Sequence, residues 1–401
     1  MHFSTSGRGE LYPSSIILNL FLLACMLAAS LSGTAQTTYT LTVNQAGNNW
    51  YYVFPCDVTS ATVEVWGGGG GGGSAKNNGA RGGGGSGGAY TRGIIPITAG
   101  TVYNITVGAG GGSGADGEAS FFNSAATIMA IGGIAGQSIT TNNPQGTGGV
   151  APGTGNVNTG GSPQSYYGGN GGNATSGGSG YSGGGGGSAG NASNGNNAVN
   201  GTGGGAVASG GAGANGVNSN GAGNLGSNPG GGGSGGRAGN PTVRNGGNGG
   251  DGQVVITFST NLPLYCSPDI SFSIEPITLV NFAGINKTTP NTSTYPAESF
   301  CDMATVTAGA SYPVTLKGNT GGPYTDYFTI FIDWDHNCVF NNATERYNIG
   351  TIYNSTGVDA ITATNNILVP PGANTGITAM RVAKRFNAYP TDACTDIFYG
   401  Q

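Results

Sequence analysis

WGGGGGGGSAKNNGARGGGGSGG, residues 66–88, is the stretch whose reading decides the fold. Glycine loses more backbone freedom on folding than any other residue, so an ordered glycine run must recover that loss through contacts of its own backbone. The chain holds 83 glycines in 401 residues, and only 7% of it is charged. From Ala119 to Gly236 there is no charged residue. Disordered chains are typically highly charged and poor in apolar groups. This one keeps 18 Tyr, 14 Phe and 3 Trp. The net charge of −5 is spread thinly, without a basic stripe, which argues against a nucleic-acid partner.

Short β-rich runs stand on both sides of the quoted stretch. YTLTV (39–43), WYYVF (50–54) and ATVEVW (61–66) precede it. AYTRGIIPI (89–97), TVYNITVGAGG (101–111), ASFFN (119–123) and TIMAIGG (127–133) follow, and GGDGQVVITFS (249–259) closes the region. A strand-forming segment after so long a low-complexity tract makes residues 137–248 an insertion whose two ends are held by one sheet. Two readings of that insertion compete. In one it is a mobile surface excursion on a small sandwich. In the other the glycine runs form parallel polyproline-II-type helices that bond N–H to C=O between neighbours. The second is the reading adopted. Collagen is excluded, because glycine does not recur strictly at every third position and proline is scarce.

The N-terminus reads as an export signal over residues 1–36. Arg8 precedes an apolar run from Ile16 to Leu31, and the small residues of GTAQ suit cleavage near Ala35 or Gln36. Leu22-Leu23-Ala24-Cys25 also resembles a lipoprotein box. No other stretch is apolar enough to span a bilayer, so no membrane span is expected after signal removal.

YVFPCDVTSATVEVWGGGGGGG, GGAYTRGIIPITAGTVYNITVGAGG and GGNGGDGQVVITFS together resemble the glycine-rich domain of secreted bacterial surface proteins. Similar arrangements occur in phage tail adhesins and in the extracellular part of some receptor tyrosine kinases. The resemblance covers residues 37–259. It implies a β-sandwich carrying a bundle of glycine helices, with exposed loops that bind partners.

TNLPL (260–264) is a short linker, and beyond it the composition turns ordinary. Strand-like runs fall at 270–285, 304–309, 312–319, 327–335, 346–354, 360–370 and 375–387, separated by turn residues at sandwich-like spacing. PITLVNFAGINKTT, YFTIFIDWDHNCVFNNATERYNIGT, ILVPPGANTGITAMRV and FYGQ resemble the GEVED domain of secreted Bacteroidetes proteins, over residues 265–401. The resemblance implies a further acidic strand after FYGQ, so the domain is expected to lack its last strand. The fold class is therefore all-β: a glycine-rich sandwich with an inserted polyproline-II-like bundle, then a second Ig-like or jelly-roll-like sandwich.

Six cysteines are present. Cys25 leaves with the signal and Cys56 stands alone. Cys266, Cys301, Cys338 and Cys394 are expected to form two disulfides in an exported chain, with three pairings open.

DWDHNCVFNNATE (333–345) offers the candidate metal site. Asp333, Asp335, Asn337, the Val339 carbonyl, Asn341 and Glu345 fall near calcium-loop spacing, because a hard cation takes several oxygens from one turn. Two departures stand out: Cys338 occupies the usual glycine position, and the acidic residue comes one position late. The competing reading is a hairpin whose Asp and Asn side chains cap the turn. Trp334 and Phe340 read as packing. Calcium is the only cofactor the sequence raises. No Ser-His-Asp arrangement, reactive cysteine or phosphate loop is supported, so the chain reads as non-catalytic. Paired carboxylates for glycoside cleavage stay open on sequence alone. Tyr166, Tyr167 and Tyr181 are the candidate ligand contacts, since rings stack on sugars and amides bond their hydroxyls; pinning the bundle is the alternative role. The expected function is surface adhesion or binding of an extracellular glycan, polymer or protein. A spacer, or an accessory module of a larger secreted enzyme, is the alternative, and the oligomeric state is undetermined.

Overall fold

A computed structural model describes residues 36–47, 49–98, 101–142, 144–157, 163–262, 265, 273–292, 301–394 and 399–401. The expected signal segment up to Ala35, and Cys266, lie outside these residues. Two compact units divide between Leu262 and Pro263, inside the expected linker. Among the described residues the regular elements are strands, and no helix is long and apolar enough to cross a membrane.

The first unit is a sandwich of two five-stranded sheets with a bundle growing from it. Its strands are β1 (Thr37–Val43), β2 (Asn49–Val53), β3 (Ser60–Trp66), β4 (Tyr90–Pro96), β5 (Val102–Thr106), β6 (Ser120–Phe122), β7 (Ile128–Ala130), β8 (Asn156–Val157), β9 (Gln164–Tyr166) and β10 (Gln253–Thr260). One sheet runs β1-β10-β3-β4-β9, the other β2-β5-β6-β7-β8. β10 alternates half-buried and buried residues along its whole length, as period-2 patterning requires. Phe54 sits at the centre, edge-on to Tyr103 and Phe258 at 5.5 and 5.1 Å.

The bundle continues these strands rather than interrupting them. Trp66 pairs with Tyr90 in β3 and β4, and the same register runs on through Gly67–Ala89, Gly70–Ser86 and Gly73–Gly83. Gln253 pairs with Trp66, and Gly250–Gly69 and Gly247–Gly72 follow. Partners recur at every third residue, the period of polyproline II. Within run 67–73, the N–H groups therefore turn to three neighbours in rotation: 83–89, 115–118 and 247–250, all antiparallel. Its carbonyls accept from three others, 111–114, 133–136 and 233–236, all parallel. One glycine helix is thus surrounded by six. Runs 82–89, 183–189 and 230–236 are buried in the same manner.

At most of the glycines in these runs, packing at this distance leaves no room for a Cβ. A Cβ built on Gly72 would lie 1.9 Å from the Ser234 carbonyl oxygen, and one on Gly84 1.8 Å from that of Gly184. The ordered reading of 137–248 is the one the structure takes. Its boundaries differ from the expected insertion: runs 67–73 and 82–89 are at the bundle's heart, and β8 and β9, from within the tract, join both sheets.

The second unit pairs a five-stranded and a four-stranded sheet. Its strands are β11 (Ser273–Ile274), β12 (Ile277–Phe282), β13 (Ile285–Thr288), β14 (Ser311–Gly318), β15 (Thr325–Ile332), β16 (Arg346–Tyr353), β17 (Ala363–Leu368), β18 (Met380–Phe386) and β19 (Tyr399–Gly400). The orders are β11-β19-β18-β15-β16 and β13-β12-β14-β17. Both sheets feed one core of Val314, Leu316, Phe328, Ile330, Ile349, Ile352 and Ile367. Residues 304–309 form no strand. Thr307 N–H instead binds the Tyr312 hydroxyl at 2.9 Å, and Ala310 N–H closes a turn onto the Thr307 carbonyl. Tyr399 and Gly400 form β19 inside the sheet, and Gln401 exchanges both backbone bonds with Lys384, at 2.8 and 3.1 Å.

Candidate functional site

The hairpin β15–β16 fixes the 333–345 loop. Phe331 pairs with Arg346, and Ile332 N–H binds the Glu345 carbonyl at 3.0 Å, which sets Glu345 against the start of the loop. The Glu345 carboxylate folds inward and accepts from the N–H groups of Trp334 (2.6 Å), Asp335 (3.3 Å) and Asn341 (2.8 Å). Asp333 is fully buried and accepts from the Tyr265 hydroxyl (2.7 Å), Cys338 N–H (3.0 Å) and Asn337 N–H (3.2 Å). Burial, and then the bond to Asp333, push the Tyr265 phenol well above its usual range. Trp334 turns into the core and donates Nε1–H to the Tyr347 hydroxyl at 2.8 Å.

Cys338 stands where a calcium loop has glycine, yet it adopts φ of 65°, so the chain makes the glycine-type turn without glycine. Carboxylate oxygens of Asp333, Asp335 and Glu345 lie within 4.8 Å of one another. The lateness of Glu345 is thereby compensated by the hairpin. The two amides are not brought in: Asn337 Oδ1 caps Val339 N–H at 2.8 Å and Asn341 Oδ1 caps Ala343 N–H at 2.9 Å. The three carboxylates among the six expected ligands converge, and three hard oxygens suit a hard cation. The same geometry disfavours the pair Asp333 and Asp335 as glycosidase carboxylates, because only Asp335 faces solvent.

The candidate tyrosines do not form one site. Tyr166 ends β9, is half-buried, and stacks on Tyr90 with ring centroids 6.1 Å apart, beside Trp66 and Ala189. Tyr167 and Tyr181 are exposed. Run 168–172 lies antiparallel to run 184–187, and Thr175 N–H meets the Tyr181 carbonyl. Tyr167 and Tyr181 thus sit at opposite ends of adjacent helices, about 25 Å apart at the ~3.1 Å rise of polyproline II.

Cys301, Cys338 and Cys394 are disulfide-bonded. So is Cys56, which corrects its reading as solitary. Cysteine spacing alone gives no signal for such a bond, since sulfur proximity is set by the fold.

Two features escaped the sequence. Lys384, fully buried, donates to Asp326, to Glu275 Oε2 at 3.4 Å and to the Asn319 carbonyl at 2.9 Å. Burial, with Asp326 nearby, pushes the Glu275 carboxyl up to about 7. A groove of about 290 Å³ lies beside this cluster, lined by Arg385, Phe386, Asn387, Ala388 and Tyr399. Phe386 is edge-on to both Tyr324 and Tyr399, at 5.5 and 6.1 Å. Phe386 at the end of β18 and Tyr399 in β19 carry no joint signal in the sequence, and only the pairing of β18 with β19 brings them together.

The family profile of the glycine-rich domain matches residues 40–259, more than half of the chain and the whole span of sandwich and bundle. This chain belongs to the glycine-rich domain family. In that family's terms, the low-complexity tract is part of the domain, in keeping with strands that run on into glycine helices. The profile of the GEVED domain matches residues 327–401, from β15 through Gln401, and is shorter than the resemblance over 265–401. No curated protein matches the chain.

Proposed function

We propose that this chain is an exported, surface-associated binding protein whose glycine bundle is a rigid stem that displays loops to an extracellular glycan, polymer or protein. One observation supports it most: the central runs of the bundle pack mainly through backbone, with only small side chains such as Ser86, Ser188 and Ser234 buried among them, so most larger side chains stand outward at fixed heights. Those side chains are mostly Asn, Ser, Thr and isolated Tyr, without charge from Ala119 to Gly236. Uncharged amides and rings suit sugar hydroxyls and pyranose faces. The aromatic groove of the second unit adds a surface of similar chemistry. An array of neutral and acidic glycans, structural polymers and matrix proteins, probed with the whole chain, tests the reading. Binding to at least one class, weakened by Tyr167→Ala or Tyr181→Ala, is expected. Absence of binding on every surface would leave a spacer. Export is tested by sequencing the mature N-terminus, expected near Gln36.

The convergence of Asp333, Asp335 and Glu345 favours a second, separate reading: the 333–345 loop holds calcium as a structural brace. Added calcium is then expected to raise the melting temperature of the chain, and Asp335→Asn to abolish the rise. Identical melting with calcium and with chelator would sink it.

A further inference from the structure

Charge in the glycine bundle is sorted along its axis. Run 67–73 leaves the sandwich at Trp66 and reaches its far turn at Ser74–Ala80. Three carboxylates lie near the sandwich end: Glu118 is bonded by Gly68, Asp251 follows the Gly250 that Gly69 binds, and Asp116 follows the Ala115 that Gly71 binds. Four cations lie at the far end. Lys76 is in the turn itself, Arg244 pairs with Ala75, and Arg81 pairs with Arg237. At ~3.1 Å per residue, roughly 15 to 22 Å along the axis separate the two sets, more than a Debye length in physiological salt.

The arginines are held, but not neutralised. Arg237 donates to the Gly178 and Gly180 carbonyls at 2.8 and 2.7 Å and to that of Asn218. Arg81, buried, donates to the Gly177 carbonyl, and its Nε has no hydrogen-bond partner. Burial, and next the charge of Arg237, lower the Arg81 proton affinity. Arg244 Nε donates to Asn220 Oδ1 at 2.9 Å. Among the described residues, the acceptors of these three arginines are neutral oxygens, and Arg81 and Arg237, paired across one backbone bridge, form no ion pair. Beside them stand Tyr181 and Asn218, whose hydroxyl and amide lie 3.5 Å apart.

We propose that this far end of the bundle, built from Lys76, Arg81, Arg237 and Arg244, binds an acidic polysaccharide that carries carboxylate or sulfate groups. Lys76, Arg237 and Arg244 would take the anionic groups, the buried Arg81 would add its charge behind them, and the amide, hydroxyl and tyrosine rim would take the sugar hydroxyls and ring faces. A duplex would need a longer basic track than four cations on a tip, and a membrane would need apolar anchors beside them. The proposal rests on the binding-protein reading above but can fail without it: binding to neutral glycans only would leave that reading intact.

The test uses the whole chain with polyuronate, dextran sulfate and uncharged dextran as probes. Binding to the two acidic polymers, lost as salt rises from about 0.05 to 0.5 M, is expected. Lys76→Gln combined with Arg244→Gln should weaken it about tenfold, the order that two solvent-exposed ion pairs supply. Neither position packs in the interior, and an unchanged melting curve verifies the fold. Lys287→Gln with Lys317→Gln removes the same charge from the other unit and should change affinity less than twofold. Equal losses from both double variants would reduce the effect to net charge and overturn the proposal. Equal binding to uncharged dextran, or tighter binding to duplex DNA or anionic vesicles, would do the same.

Discussion

Gly84 and Phe328 occupy equivalent places in the two units, each deep in an interior, and nothing about their surroundings is alike. A methyl group on Gly84 would sit 1.8 Å from the Gly184 carbonyl oxygen, and its neighbours are backbone on every side. Phe328 lies among Leu316, Ile330, Ile352 and Ile367, side chains that can shift rotamers when a neighbour changes. The first interior is held by directional N–H···O=C bonds at a spacing only glycine permits. The second is held by burial of apolar area, which is not directional. A bundle of the first kind uses few hydrophobic residues, chiefly Ala75, Ala80, Ile139 and Ala238 at its far end, and its specificity comes from register.

That contrast can be broken at its strongest point. Gly84→Ala should destabilise the first unit by at least about 4 kcal/mol, because no flexible side chain is available to yield. Loss of slow amide exchange across runs 82–89, 183–189 and 230–236 would report it. A drop of less than about 1 kcal/mol in chemical denaturation would refute the backbone-packed interior. Phe328→Ala comes next, with about 3–5 kcal/mol expected from lost burial and the cavity left behind. Its effect should be confined to the melting transition of the second unit.

A smaller effect concerns pH. The Glu275 carboxyl, raised from 4.5 to about 7 beside Asp326 and Lys384, holds its proton more tightly in the folded unit than in the unfolded chain. Its contribution is therefore full below about 4.5 and lost as pH rises through about 7. The second unit should lose stability over that window, and Glu275→Gln should flatten the slope. Identical slopes for both proteins would remove the assignment. The smallest effect is a control. Gly112 has open space where a Cβ would stand, so Gly112→Ala should change stability by no more than about 0.5 kcal/mol. A large loss there would mean that glycine is needed for more than close approach.

Much of this was legible before any coordinates. Alternating apolar residues marked β3, β4, β5 and β10, and the absence of charge in a chain rich in aromatics pointed to ordered glycine. The 304–309 run was misread because Thr and Val favour strands only where a neighbour offers its backbone, and there the N–H groups close turns instead. In the loop at 333–345, spacing alone selected six oxygens. The hairpin register brings the three carboxylates Asp333, Asp335 and Glu345 together, while the side chains of Asn337 and Asn341 cap their own turns. The reading of 375–387 as a strand assigned Lys384 no role, because its burial depends on Asp326 and Glu275, distant along the chain.

Composition by itself determined that the first half would be built from backbone, because glycines without charge have little else with which to pack. Tertiary structure alone decided which glycine run lies against which, how far apart Tyr167 and Tyr181 stand, and that all four cations of the far tip meet. The physical reason is the sameness of the runs. One stretch of glycine carries no label that distinguishes its neighbours, so the order is imposed by strands of the sandwich, whose side-chain alternation sets the register that every run then inherits.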